Sequence, residues 1–356
     1  MPRWLFFLAI IAIYELALLL VIFTVRWLSS NRLKLWHLAT PILLAANILL
    51  ALALLNWRSD YSTSFLITLT VLWFYCLSCA VVLGAYKITG SHYSALFKIL
   101  LPCNFLALTG YAWFNAHSPQ VKTYNISINK PLARPLKILV ASDLHLDIYI
   151  GNKMLDKLYA IVQEQKPDLI LMPGDILDFD SKVYTREKMA QNLQRLQAIY
   201  GVYGSLGNHE YYGPLSENVA AISQGGINLL QDQATVIDNK FILVGRNDQL
   251  DTLRKPLSSI LEQMPVNDLP VIVMDHRPIY TDIYDFPVDI NVSGHTHNGQ
   301  VFPANFIVKF MYELAYGYKQ VDNHHLFTTS GFGLAVSPFR LGSKSEVFII
   351  NVTGQK

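Results

Sequence analysis

Beyond residue 103 this 356-residue chain has no cysteine, and before residue 120 it has almost no acid. All three cysteines, Cys76, Cys79 and Cys103, lie in the first third. The remainder can therefore form neither a disulfide framework nor a thiolate metal centre. Cys76 and Cys79 make a CxxC, but inside an apolar run, where small buried packing residues are the plain reading. Only Glu15 and Asp60 are acidic before residue 120, against seven Lys or Arg, which leaves 21 basic and 24 acidic residues for the rest. The net charge of +2 thus conceals a basic, apolar part and a mildly acidic polar part. Neither carries the basic stripe that neutralising a phosphate backbone requires, which excludes nucleic acid as the expected partner.

What is abundant is hydrophobicity, 52% of residues, concentrated in four runs at roughly 4–25, 37–57, 64–86 and 97–114. At 1.5 Å per residue a helix of about 20 residues crosses a hydrocarbon core of about 30 Å. The first run is too long for a cleaved signal peptide, and three more follow it. Asn104, Gly110 and Asn115 dilute the fourth, and were it only interfacial the topology would invert. Arg26, Arg32, Lys34, Lys87 and Lys98 fall in the first and third loops, and Arg3, Arg58 and Lys122 on the opposite side. The positive-inside rule then puts the odd loops in the cytoplasm and the polar part on the extracytoplasmic face. Glu15 stands midway along the first run, either a functional group or a carboxyl protonated or hydrogen-bonded to a neighbouring helix.

From "KPLARPLKILVAS" onward the pattern changes to short apolar runs, "LKILVA", "PDLILM", "GVYGSL", "KFILVG", "LPVIVM" and "VDINVS", several alternating with helix-like stretches. That rhythm predicts an α/β domain with buried strands and a site at their carboxyl ends. The expected division is a transmembrane bundle of about four helices over 1–116, a short linker over 117–135 and a catalytic domain over 136–356.

Five strand ends carry the chemistry. "DLH" offers Asp143 and His145, "GDILD" Asp175 and Asp178, "GNHE" Asn208, His209 and Glu210, "DHRP" His276, and "GHTH" His295 and His297. Each is weak alone. Together they take five of the seven histidines that follow residue 120, and strand ends of one sheet converge in space. The other two, His324 and His325 in "VDNHHLF", read as a solvated turn between strands. His, Asp and Asn donors suit Mn²⁺, Fe or Zn²⁺, and so many exceed what one tetrahedral ion needs. Two ions sharing a carboxylate fit that number. Residues two apart in an extended strand point the same way, so His295 and His297 are expected to enter one cavity with Thr296 turned away.

In this order the motifs resemble the signature of the calcineurin-like metallophosphoesterases, and "GNHEYYG", "GRND", "GHTHNGQVFP" and "TSGFGLAVSPFR" are similar to their membrane-attached, YkuE-type branch. The resemblance implies a two-sheet αββα sandwich behind an all-α transmembrane bundle. It implies one metal on Asp143, His145 and His297, a second on Asn208, His276 and His295, and Asp175 bridging. Asp178 would orient the site from outside the ligand set, and His209 would face the substrate. A hydroxide bridging two ions, manganese foremost with zinc or iron as alternatives, would attack phosphorus in line. Departures from the family pattern are small, Asn298 after the last histidine and Asp275 before His276.

Tyr211 and Tyr212 are expected beside His209, and by the resemblance Arg246 and Arg340 could bind a substrate phosphate. A hydrolase tethered by several spans implies a lipid, glycolipid or envelope-linked phosphoester or pyrophosphate. Two other readings are a phosphoryl-ligand sensor or scaffold without turnover, and a transporter with an attached regulatory domain. A complete ligand set disfavours the first, and a bundle without paired polar residues disfavours the second.

Overall fold

The computed structural model describes residues 3–55, 60–89, 94–264, 268–335 and 337–355. Arg58, counted above in the middle loop, lies outside them. The chain divides into two compact units, Met1–Trp113 with Val336–Phe339, and Phe114–Ala335 with Arg340–Lys356.

The first unit is built on α1 (Arg3–Leu28), α2 (Leu35–Leu55), α3 (Asp60–Thr89) and α4 (Ser94–His117), the last helix running on into the second unit. All four are long and apolar enough to cross a membrane. α1, α3 and α4 outrun the apolar stretches because flanking polar residues continue the backbone hydrogen bonding; α4, diluted as it is, reaches 24 residues. Tyr14 is buried and donates to the carbonyl of Ala46 over 3.1 Å, while its ring meets Phe65 edge-on. Thr24 and Tyr75 share a hydrogen bond of 2.5 Å. Glu15 is half-buried. Among the described residues the cysteines are all free.

Among its described residues the second unit contains twelve strands: β1 (Gln120–Pro131), β2 (Leu136–Val140), β3 (Leu169–Pro173), β4 (Val202–Ser205), β5 (Asn228–Leu229), β6 (Gln233–Ile237), β7 (Phe241–Gly245), β8 (Val271–Met274), β9 (Ile290–Ser293), β10 (Gly317–Val321), β11 (His324–Thr328) and β12 (Glu346–Gln355). They form two six-stranded sheets, ordered β1-β12-β2-β3-β4-β5 and β10-β11-β9-β8-β7-β6. Seven helices accompany them: α5 (Asn152–Gln165), α6 (Lys182–Arg186), α7 (Met189–Leu193), α8 (Asn208–Tyr212), α9 (Leu215–Gln224), α10 (Leu257–Leu261) and α11 (Ala304–Met311). This is the α/β architecture expected, two mixed sheets between helical layers.

Strands covered on both faces must be apolar throughout, which is why "LILMP" and "FILVG" read as unbroken runs. One face of β2 and β3, Ile138, Val140, Leu169 and Leu171, meets Leu243, Ile272, Met274 and Val292 of the other sheet. The opposite face, Leu139, Ile170 and Met172, packs on α5, α7 and α9. In α5 the buried positions Met154, Leu155, Leu158, Ile161 and Val162 follow helical spacing. Each such side chain contributes about 1.5–3 kcal/mol on burial.

Two expectations need correction. Residues 117–135 are not a linker: β1 pairs in parallel with β12 from Gln120 to Pro131. Its inward positions, Lys122, Tyr124, Ile126 and Ile128, alternate with polar residues, and that dilution hid an edge strand. His324 and His325 are not in a turn either. The hairpin turns at Asp322-Asn323, and His325 is buried inside β11 between the hydroxyl of Tyr318, 2.8 Å away, and the carbonyl of Ser127.

Candidate metal centre

β2, β3 and β4 run parallel in one sheet, and β7, β8 and β9 in the other. The loops leaving β2, β3, β4, β8 and β9 bring the sequence-predicted ligands together. Asp143, His145 and His297 form one group of donor atoms within 4.8 Å of one another; Asp175, His276 and His295 form a second, and His145, Asp178 and His209 a third.

Asp175 stands between the first two groups. Its Oδ2 lies 3.1 Å from His276 Nε2 and 3.6 Å from His145 Nε2, while its Oδ1 accepts the backbone N–H of His209 over 2.8 Å. Nε2 atoms of His145 and His297 are 3.0 Å apart, and Asn208 Oδ1 is 3.2 Å from His276 Nε2. Outer partners fix the rings. His276 Nδ1–H donates to the Pro173 carbonyl, and Asp178 Oδ1 lies 3.1 Å from His145 Nδ1 and 3.0 Å from His209 Nδ1. Such bonds select the tautomer that leaves Nε2 free to ligate.

The backbone here is strained in a regular way. Asp143, His145, Asp175, His295 and His297 all adopt positive φ, between 46° and 69°. Left-handed non-glycine residues cost on the order of 1–2 kcal/mol each, so neighbouring bonds must hold them. They are present: the N–H of Asp143 reaches the carbonyl of Gly174, that of His145 the carbonyl of Asp175, and that of His295 the carboxylate of Asp143. β9 ends at Ser293, so His295 and His297 do not share a cavity through strand alternation. Left-handed backbone at His295 and again at His297, on either side of a right-handed Thr296, turns them inward instead. Thr296 does point away, donating to the Ala315 carbonyl. Two glycines make room for the carboxylates: a Cβ at Gly294 would sit 2.0 Å from Asp143 Oδ2, and one at Gly207 2.2 Å from Asp175 Oδ1.

Electrostatics suit cation binding. Burial, together with the charge of Asp175, raises the Asp143 carboxyl above the ordinary range. Burial works the same way on Asp175, but His276, His209 and His145 hold it well below that range. His295 is pushed down to about 3 by burial and the neighbouring His276, and burial keeps His297 neutral as well. Buried carboxylates beside imidazoles, two of them held neutral, offer anionic oxygen and neutral nitrogen together. That donor set fits divalent ions.

Not every expected substrate contact is available. Arg246 is buried and paired with Asp275 at 3.0 Å and Asp282 at 3.1 Å. Arg340 is fully buried, donates to the carbonyls of Gly331, Gly333 and Lys344, and lies 3.2 Å from His297 Nδ1. Both guanidinium groups are enclosed, Arg246 against the carboxylates of Asp275 and Asp282 and Arg340 by backbone carbonyls beside His297. Tyr211 turns its hydroxyl to Asp251, whereas the Tyr212 ring does lie 5.1 Å from that of His209.

Two roles are not legible in the sequence, those of Arg277 and Glu210. Arg277, directly after His276, is half-buried, held by both oxygens of Asp248, and its charge reaches His295, Tyr212 and Tyr312. The "DHRP" context is its signal. Glu210 is wholly buried, and its carboxylate accepts the N–H groups of Asp175, Leu177 and Gly207 at 2.8–3.1 Å, joining the two loops that carry Asp175 and Asn208. Its place three residues after Gly207 is a capping-box spacing. Glu210→Ala orphans three buried donors at about 1–3 kcal/mol each, so we expect roughly 3–5 kcal/mol of lost stability. A chemical-denaturation curve shifted by less than about 1 kcal/mol would rule out this role.

A two-sheet sandwich with clustered His and Asp at the ends of its parallel strands has the form of a metal-dependent phosphoesterase. Residues 136–299 match the calcineurin-like phosphoesterase family. The chain is 29% identical over 276 residues to an uncharacterized metallophosphoesterase of Campylobacter jejuni, spanning 74% of this chain and 72% of that one. It is 28% identical over 258 residues to a transmembrane protein with metallophosphoesterase domain of Bos taurus, spanning 65% and 56% respectively. It is 25% identical over 224 residues to the uncharacterized metallophosphoesterase YkuE of Bacillus subtilis, spanning 61% and 78%. Residues 136–299 are a calcineurin-like phosphoesterase domain, and the chain is a metal-dependent phosphoester hydrolase with four helices able to span a membrane.

Proposed function

We propose that this protein hydrolyses a phosphoester or pyrophosphate bond of a membrane lipid, glycolipid or envelope-linked substrate, using two divalent ions, manganese foremost, on the extracytoplasmic face. What carries the reading is one chain joining a full set of buried His, Asp and Asn donors to four helices long and apolar enough to cross a bilayer. A soluble substrate needs no such tether. The excess of Lys and Arg in the first and third loops supports the orientation.

In this reading Asp143, His145 and His297 hold one ion, Asn208, His276 and His295 the other, and Asp175 serves both. Bound there, the ions supply Lewis acidity toward the phosphoryl oxygens and lower the pKa of water. The protein's own groups do the rest. Asp178 orients His145 and His209 together, since both rings lie within hydrogen-bond reach of its carboxylate. Burial opposes a charge on His209, but Asp175 and Asp178 outweigh it and bring its pKa up to about 9 in the metal-free protein, and the ring stands 4.4 Å from that of His145. His209 is therefore the group to stabilise phosphoryl oxygens or protonate the leaving oxygen. Tyr212 and Arg277 form the rim a head group would meet.

The test is turnover by the full-length protein in lipid nanodiscs with Mn²⁺ or Zn²⁺, against a panel of phosphorylated lipids and soluble phosphodiesters, with His209→Ala as control. Release from at least one lipid, lost in the control, is expected. Good turnover of soluble diesters with none on any lipid would overturn the substrate class and leave the metal centre standing.

A further inference from the structure

α11 is an amphipathic helix turned inside out. A surface helix of a globular domain ordinarily buries its apolar stripe. None of the eight residues of "ANFIVKFM" is buried. Phe306, Ile307, Phe310 and Met311 are 52%, 55%, 92% and 66% exposed, and Phe302 just before them is 37% exposed. These positions follow helical spacing, so they make one outward stripe. The polar side chain of Asn305 points inward instead, against Gly342. Lys309 is the sole charge between Val301 and Tyr312, and its ammonium lies over the Phe306 ring.

This stripe is held firmly and stands at the site. Phe302 N–H donates to the Leu341 carbonyl at 2.6 Å, and Gln300 exchanges two hydrogen bonds with the backbone of Ala335. The segment begins just after His297, and at its far end the Tyr312 ring comes back to 6.1 Å from that of His295. Contiguous exposed apolar surface of this kind marks an interaction site.

We propose that α11, with Phe302, docks on the bilayer surface, sinking its aromatic stripe to the level of the lipid headgroups beside the metal centre. Chain connectivity supports a membrane as occupant. Only Ser118 and Pro119 stand between α4, the last of four membrane-length helices, and β1 of the catalytic domain, a tether too short to let the domain leave the bilayer that such helices would span. An uncharged aromatic stripe with one flanking cation suits the interface of an anionic bilayer. Docking stands on the helix itself; its use in presenting a lipid-borne phosphate to the site rests on the function proposed above.

The experiment uses the full-length protein in nanodiscs of phosphatidylethanolamine and phosphatidylglycerol, with p-benzoylphenylalanine in place of Phe310 or, as control, of Leu253, which is 84% exposed. Irradiation is expected to give lipid adducts at 310 at least about fivefold above those at 253. Equal adducts at both positions, or crosslinks at 310 to a second copy of the chain, overturn the proposal. The double variant Phe306→Asp, Phe310→Asp is expected to turn over a soluble p-nitrophenyl phosphodiester within about twofold of the unmodified protein, while turnover of phosphorylated lipid in the bilayer falls about tenfold or more. A matching loss on both substrates overturns it too. Lipid adducts at 310 from a protein that cleaves no lipid would establish docking and refute the lipid substrate, so the two proposals fail separately.

Discussion

Replacing Asp175 by Ala is expected to strip the centre of metal and to lower kcat/KM by at least about 10³-fold, some 4 kcal/mol of transition-state stabilisation. Asp175 belongs to the donor group of His276 and His295 and reaches the other group at His145. Its Oδ2 lies between His276 and His145, and its Oδ1 ties down the backbone of His209. The loss is therefore not confined to one ion. Without the carboxylate, His276 also loses the partner that stands 3.1 Å from its Nε2. Elemental analysis alongside steady-state kinetics decides the matter. A variant that kept its full metal content would refute the shared role.

His209→Ala is expected to behave in the opposite way, retaining its metal while kcat falls by about 10²–10⁴-fold, the range for removing a general acid. The bond that positions Asp175 comes from the backbone N–H of His209 and survives the substitution. The imidazole is held from outside the two main donor groups, its Nδ1 2.6 Å from the carbonyl of Asp178 and 3.0 Å from its carboxylate. The competing arrangement is the third donor group, His145 with Asp178 and His209, which would make the ring a ligand. Elemental analysis separates them: loss of bound metal in His209→Ala would select that arrangement and remove His209 from proton transfer.

Both expectations rest on residues that were legible before any fold was known, because the chemistry of a parallel-strand site is written in short runs. A buried strand such as β3 is apolar from end to end, and the residues just after it are released from packing and free to be polar. "GDILD" and "GNHE" stand out against such runs. The transmembrane helices were legible for a related reason, since a hydrocarbon environment demands length and apolarity together. β1 escaped because an edge strand needs only alternate apolar positions, and its Lys122 and polar outer residues break even that. Glu210 was visible as a residue but not as a staple: its partners Asp175 and Leu177 lie more than thirty positions away. The enclosure of Arg246 and Arg340 was equally out of reach. An arginine reads the same in sequence whether it meets a substrate phosphate or a ring of backbone carbonyls, and only the loops around Gly331 and Gly333 decide which.

The sequence by itself determined the donor types, their order along the chain and the membrane-length helices, because these depend on residue chemistry and local period. Tertiary structure alone decided that Asp175 stands between two donor groups, that left-handed backbone rather than strand alternation turns His295 and His297 inward, and that the apolar side of α11 faces out. Those are questions of which distant segments meet, and the free energy that answers them is summed over contacts no local window contains.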